Sequence, residues 1–460
     1  MTEENLPLKK EKKKPEGLVI PPKKPKLSKA ERRALQEEQR AAKSTVPGEG
    51  GSRKEVKSIA IFEERKTQDR LAHAVSPAIP LSHPPLSSIK STITKEKENL
   101  KTVSLFSHLI PYRDPSSVFI NGATLKVFPS PPDYLHPAVI ALGHRYAHGQ
   151  IRGGNARCKA MLNCFASILH DYEPTSGTSS AVSDLRTILD HNVLKPSFQY
   201  WTETCRPHSV SMGNAFTFLK TAVASIDREM AWEEMRSTLL ETMEAYAKER
   251  IDFADQAIAD LALSKLNDKE VVLVYGHSDV IQLLLLKHFW ANRNFRVIIV
   301  DNRPLLEGRR TLKALREAGV DCTYVLLNAL TYVLQENVSK VLLGASALMS
   351  DGSVLGRVGT ACVALAAHKH NIPVLVCCET YKISNRVQLE SITHNELGNP
   401  EALLNEDDVL QNWKEIDGLK LLNVLYDLTP AAFVSGIVTE LGIVPPTSVA
   451  VLLREMDQGS

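Results

Sequence analysis

The run KEVVLVYGHSDVIQLLLLKHFWANRNFRVIIVDNRPLLEGRRTLKALREAGVDCTYVLL, residues 269–327, alternates two kinds of apolar pattern. VVLVY (271–275), RVIIV (296–300) and CTYVLL (322–327) are short and apolar, with little interruption. DVIQLLLLKHFWAN and GRRTLKALREAG, which lie between them, are longer and have the composition of helices. Continuous apolar strands joined by helices predict a parallel sheet covered on both faces, because such strands must bury both sides. The alternation continues with strands expected at KVLLG (340–344), VLVCC (374–378) and KLLNVLYD (420–427). Helices are expected at GRVGTACVALAAHKHN and, last, at TPAAFVSGIVTELG. The fold class is therefore α/β, with a Rossmann-like domain over 267–460. No GxGxxG opens any of its strand–helix units, which argues against a dinucleotide site.

Upstream, the period changes. From 136 to 266, segments such as HPAVIALGHRYAHG, NARCKAMLNCFASILHDY and SMGNAFTFLKTAVASI repeat apolar residues at three-to-four spacing, predicting a domain of about five helices. Ser209 or Ser211 is placed to cap the last of these. Residues 105–135 cluster apolar side chains between prolines and read as a segment docked on the helical domain. Residues 1–104 are rich in Lys, Pro and Ser and hold too little periodic apolar content to offset ordering entropy, so they read as a disordered basic tail.

Charge respects the same division. Residues 1–60 carry 16 Lys+Arg against 9 Asp+Glu, while the rest of the chain carries 39 against 44. The folded part is thus mildly acidic, unlike a fold built around nucleic acid. Weak RNA contact is expected of the tail at most. No run of eighteen apolar residues occurs, so no membrane span is expected. The segment MTEENLPLKKEKKKPEG lacks the apolar core of a secretory signal. Seven scattered cysteines, most within apolar runs, point to the reducing cytosol and to buried thiols. They show no CxxC spacing, and His144, His148 and His170 lack partners at ligand spacing. Neither a metal nor a cofactor is expected.

In an open parallel sheet, chemistry gathers at the carboxyl ends of the strands, beside helix N-termini. The groups expected there are Gly276-His277-Ser278, Asp301 and Arg303, Ser353 in its Asp351-Gly352-Ser353 turn, and Glu379-Thr380. They form a crevice in which a phosphorylated small molecule is conceivable. Arg303 reads equally as a phosphate ligand or as a local partner of Asp301, and Cys377 and Cys378 read as buried core.

At these residues the sequence resembles a known family. VDNRPLLEGRRT, GASALMSDGSVLGRVGTACVALAAHKHNIPVLV and CCETYKI, with RGGNARCKAML (152–162) and CRPHSVSMGNAFTFLK (205–220) upstream, are similar to the family uniting aldose-phosphate isomerases with the regulatory subunits of eukaryotic translation initiation factor 2B. YDLTPAAFVSGIVTELGIVPPTSVAVLLRE (426–455) and the lysine-rich extension bring it nearest the delta-type regulatory members. The resemblance implies that isomerase members transfer a proton with a cysteine after the first strand and an aspartate in an Asn-Gly-Asp turn. The corresponding positions here are His277 and Ser353. Each such group contributes about 10²–10⁴-fold, so replacing both leaves no useful isomerase.

A non-catalytic regulatory role is what the resemblance then implies. The chain would join homologous alpha and beta subunits in a core. That core would carry gamma and epsilon subunits, which exchange nucleotide on initiation factor two, and would sense phosphorylation of that factor's alpha subunit. Ile151, beside the Gly153-Gly154 pair, is an expected interface residue by the same resemblance. Arg206, Lys220 and Arg228 are basic candidates for the phosphorylated partner, since arginine can meet phosphate bidentately. The competing expectation is a sugar-phosphate isomerase, which would need a thiol at 277 and a carboxylate at 353.

Overall fold

The computed structural model describes residues 103–112, 135–173, 183–227, 230–291, 294–405 and 410–458. Most of the basic tail, most of the 105–135 segment and Arg228 lie outside the described residues. The described part of that segment begins with a short 3-10 turn at Ser104–Phe106, where Phe106 is buried. His108 Nε2 then lies 2.9 Å from the carbonyl oxygen of Ile392, tying the segment to a loop of the later domain.

The helical layer comprises α1 (Pro137–Ala147), α2 (Gly154–Asp171), a run α3 that starts at Ser183–Ile188 and ends with Tyr200–Cys205, α4 (Val210–Ser225) and α5 (Trp232–Tyr246). Ser209 caps α4 by accepting the Met212 amide. The core forms around Trp201, which is fully buried and donates its indole N–H to Val139 O at 2.8 Å. Phe165 packs on that indole with ring centroids 5.3 Å apart. α5 runs on through wide π turns at Ala247–Phe253 into α6 (Ala254–Leu263). This one helical run serves two cores. Met235, Leu239 and Met243 pack into the helical layer, whereas Ile258, Ala259 and Ala262 cover the sheet.

The sheet contains β1 (Val271–Tyr275), β2 (Arg296–Asp301), β3 (Asp321–Leu326), β4 (Lys340–Gly344), β7 (Val374–Cys377), β10 (Gly436–Thr439) and β11 (Gly442–Val444). Their order is β11-β10-β7-β4-β1-β2-β3, and every neighbouring pair is parallel except β10 with β11. Helices α7 (Asp279–Trp290), α8 (Gly308–Ala318) and α10 (Thr360–Lys369), with the short α9 (Leu330–Val333), connect the strands, and α11 (Val449–Gln458) comes after the last strand. The direction of winding reverses between β1 and β4, which is where such sheets open a crevice. A second, four-stranded sheet, β8-β5-β6-β9, uses β5 (Ala347–Met349), β6 (Val354–Arg357), β8 (Ile383–Ser384) and β9 (Tyr426–Thr429).

Two expectations fail here. The 420–427 segment is not a strand of the main sheet: Val424 makes an isolated antiparallel bridge to Leu397, and Tyr426–Thr429 pairs with β6 in the small sheet. The segment TPAAFVSGIVTELG is not a helix; its Gly436–Thr439 stretch is β10. The reason is that both faces of β10 are covered. Ile437 belongs to one core and Val438 to the other, and both are fully buried. A strand buried on both sides reads as an unbroken apolar run, which periodicity alone does not separate from a buried helix.

Candidate functional site

At the crevice position between β1 and β4 the segments that follow the two strands approach each other closely. Gly276, at φ +61°, ends β1 and donates its N–H to Val300 O at 2.8 Å. Ser278 then lies so close to Gly344, at the end of β4, that a Cβ on that glycine would sit 2.6 Å from the serine Cβ and Oγ. His277 is turned between two partners. Its Nδ1 lies 3.0 Å from Thr311 Oγ1 and its Nε2 3.0 Å from Asp279 Oδ1. The His277 hydrogen bond, working against burial, holds the Asp279 carboxyl below the usual carboxylate range. Both ring nitrogens are thus engaged within the chain.

Ser353 is likewise committed. Its amide and hydroxyl donate to the two oxygens of Asp351 at 3.0 and 2.9 Å, closing a turn through Gly352 at φ +82°. A side chain at Gly352 would strike Pro446 O at 2.4 Å, so the turn is pinned against the C-terminal segment. Asp301 is buried and accepts hydrogen bonds from Asn302 N–H and Tyr324 O–H, both at 2.9 Å. Arg303 points outward, donating to Asn405 Oδ1 at 3.1 Å. Its partner is thus Asn405 and not the neighbouring Asp301.

At the end of β7 the chemistry is denser. Glu379 is fully buried and accepts from Asn155 Nδ2 at 2.6 Å and from Lys382 Nζ at 2.9 Å. Tyr381 O–H donates to Asn155 Oδ1 at 2.6 Å, and Asn155 Nδ2 also reaches Asp255 Oδ2 at 3.3 Å. Burial would raise the Glu379 carboxyl, but the Lys382 charge and the hydrogen bonds bring it below its ordinary value. Burial would lower Lys382, yet Glu379 holds it above its ordinary value. Thr380 donates its amide to Glu440 Oε2 at 3.0 Å and its hydroxyl to the same carboxylate. Asn155 begins α2, Asp255 lies on α6 and Glu379 stands just past β7, so the cluster joins the helical layer to the sheet.

Among the basic candidates, Arg206 is turned inward rather than offered to a partner. Its guanidinium forms a two-pronged pair with Glu396 at 2.6 and 3.3 Å, and its side chain is only 11% exposed. Arg357 pairs in the same manner with Glu307, at 2.9 Å twice. These two arginines line a cavity of about 290 Å³, and both already face carboxylates. Lys220 is half-buried on α4. Ile151 is buried and lines a shallow groove of about 870 Å³ beside α1 and α2, bordered by Arg145, Lys159 and Arg310. Sequence reasoning picked out Glu379 and Thr380 but missed Asn155, Asp255 and Lys382. Lys382 was within reach, since Glu379-x-x-Lys382 stands at an ion-pairing spacing; the other two are distant in sequence. Among the described residues, no group of three His, Cys, Asp or Glu side chains is arranged to hold a metal, and no helix is long and apolar enough to cross a membrane.

The model of the Initiation factor 2 subunit family matches residues 150–446. The chain belongs to that family. The Schizosaccharomyces pombe translation initiation factor eIF2B subunit delta is 36% identical over 455 residues, covering 96% of this chain and 92% of the relative. The Dictyostelium discoideum eIF2B subunit delta is 39% identical over 375 residues, 80% of this chain, which spans 58% of that longer relative. Among solved structures, the tetrameric eIF2B-beta2-delta2 complex from C. thermophilum contains a chain that matches at TM-score 0.62 and 28% identity, covering 74% of this chain and 99% of that one. The ribose 1,5-bisphosphate isomerase of Pyrococcus furiosus is more distant, at 27% identity over 57% of this chain and 82% of its own length. Within the initiation factor 2 subunit family, the likeness to delta subunits thus runs along nearly the whole chain, and the likeness to an isomerase along little more than half.

Proposed function

We propose that this chain is a delta-type, non-catalytic regulatory subunit of the guanine-nucleotide exchange complex for translation initiation factor two. The observation that carries this reading is the near full-length likeness to a delta subunit, 96% of one chain against 92% of the other. The strand-end chemistry agrees with it. The two positions where an isomerase would keep a thiol and a carboxylate hold His277 and Ser353, each hydrogen-bonded within the chain. With neither the thiol nor the carboxylate in place, the proton-transfer pair of the isomerase members is missing, which supports a non-catalytic role.

In this reading the chain pairs with a beta-type subunit and stands with an alpha-type subunit in the regulatory core. Gamma and epsilon subunits supply the exchange chemistry in the cytosol. The core reads phosphorylation of the factor's alpha subunit, and the basic tail adds weak RNA contact. Since Arg206 is paired with Glu396, Lys220 and Arg228 remain the basic contacts proposed for that phosphorylated partner.

The test is co-expression with a beta-type subunit and sedimentation of the product. A stable complex holding both chains is expected, unchanged on deletion of residues 1–100. A well-folded chain that stays alone in the presence of beta-type and alpha-type subunits would overturn the reading.

A further inference from the structure

We infer that Asp255 and Glu379 share a single proton at neutral pH, so that a carboxyl–carboxylate hydrogen bond clasps the helical layer to the sheet. Asn155 Nδ2 contacts both acids, at 3.3 Å from Asp255 Oδ2 and 2.6 Å from Glu379 Oε1, which sets the two groups side by side. Lys382 donates to Glu379 Oε1 and makes an ionic contact with Oε2 at 2.7 Å. Asp255 Oδ1 is buried and has no hydrogen-bond partner among the described residues. Two ionised carboxylates would leave Asp255 Oδ1 unsatisfied and set two like charges beside the single cation Lys382. One proton removes both faults: Asp255 Oδ1–H donates to Glu379 Oε2. Like charges at this range force such a pair to titrate in two separate steps.

The proton resides on the aspartate because its surroundings favour Glu379 as the anion. Lys382 and the shorter Asn155 bond both serve Glu379. Burial first, and the Glu379 charge second, push the Asp255 carboxyl far above its ordinary value. Asp279, at the start of α7, pushes the same way, and Lys382 opposes it. Of the other cations nearby, Lys159 is paired with Asp252 and acts on Cys158, and Arg250 acts on Tyr246. Tyr381 after β7 and Tyr246 on α5 are raised by burial. Cys158 on α2 is pushed up to about 12, and Cys378 well above its ordinary value, both by burial. Glu440, in the turn after β10, is an acid engaged by Thr380.

A carboxyl raised in the folded state binds more protons folded than unfolded. Its contribution to stability is therefore whole below its unfolded value, about pH 4, and is lost as pH rises through the raised folded value. Opening of the interlayer contact at alkaline pH is the expected consequence.

The experiment uses the full chain, with infrared difference spectra at about pH 8 and thermal unfolding between about pH 6 and pH 10. At pH 8, Asp427, which burial pushes up to about 6, is ionised, and Glu440, also raised by burial, is removed from the band by working in a Glu440→Gln background. With Asp255 intact, that background is expected to show a protonated carboxyl band that is absent once Asp255→Asn is added. Asp255→Asn, a neutral isostere, is expected to melt within about 2–4 °C of wild type at pH 6 and to lose less as pH rises, while Asp255→Ala melts well below both. Absence of the band with Asp255 intact, its persistence in Asp255→Asn, or equal damage from Asp255→Asn and Asp255→Ala would overturn the proposal. The infrared result with Asp255 intact stands even if an Asp255 variant does not fold.

Discussion

The two halves of the strand-end rim differ in what they bury. At the ends of β1 and β4 and in the β5–β6 turn, uncharged or exposed polar groups meet close by: His277 with Thr311 and Asp279, Ser353 with Asp351 two residues away, Ser278 packed on Gly344. Around β7, charges are buried together and tied across the molecule, with Glu379 meeting Lys382 from its own turn and Asn155 from 224 residues upstream. The first half lies where a parallel sheet would open to a substrate, and it is closed by small, weak contacts. The second half holds the helical layer to the sheet. The buried charge of the rim thus gathers at the interlayer cluster rather than at the crevice.

The largest effect that would sharpen this contrast comes from Lys382→Met. It strips the one cation from two buried carboxyl groups and should cost about 3–5 kcal/mol of unfolding free energy. Denaturant titration checks this, and a loss below about 1 kcal/mol would show that the clasp carries little weight. At the crevice, Gly344→Ala forces a methyl group into Ser278 and should cost about 1–3 kcal/mol. The double variant Gly344→Ala with Ser278→Gly should recover much of that loss, because the crowding is between these two positions alone. If the double variant is no better than the single one, the crevice is not closed by this contact. Smallest of all, His277→Ala removes two side-chain hydrogen bonds of ordinary strength and should cost about 1 kcal/mol or slightly more. Nucleotide exchange by the reconstituted complex should be unchanged, and a collapse of exchange with assembly intact would restore a chemical role to this residue.

The same contrast governs what the sequence discloses. The crevice half was legible, since β1, β2, β3 and β4 are short apolar runs set between helical spacings, and their carboxyl ends can be counted off directly. His277 and Ser353 could be placed at the rim for that reason. The clasp half was only partly legible. Glu379 and Thr380 come directly after a clear strand, but Asn155 and Asp255 meet Glu379 through the tertiary fold, with no local spacing to announce it. β10 was misread because Ile437 and Val438 are buried on opposite faces, which erases the alternation that marks a half-exposed strand. The small sheet escaped notice because strands of two to four residues carry too few positions for any period to show. Arg206 was judged by charge alone, and its partner Glu396 is 190 residues away.

The claim that the rim keeps no group able to move a substrate proton is tested most directly by offering the purified chain ribose 1,5-bisphosphate and following the ketose product by NMR. No product above the protein-free control is expected, with wild type and His277→Ala indistinguishable. Conversion by wild type that disappears in His277→Ala would contradict it.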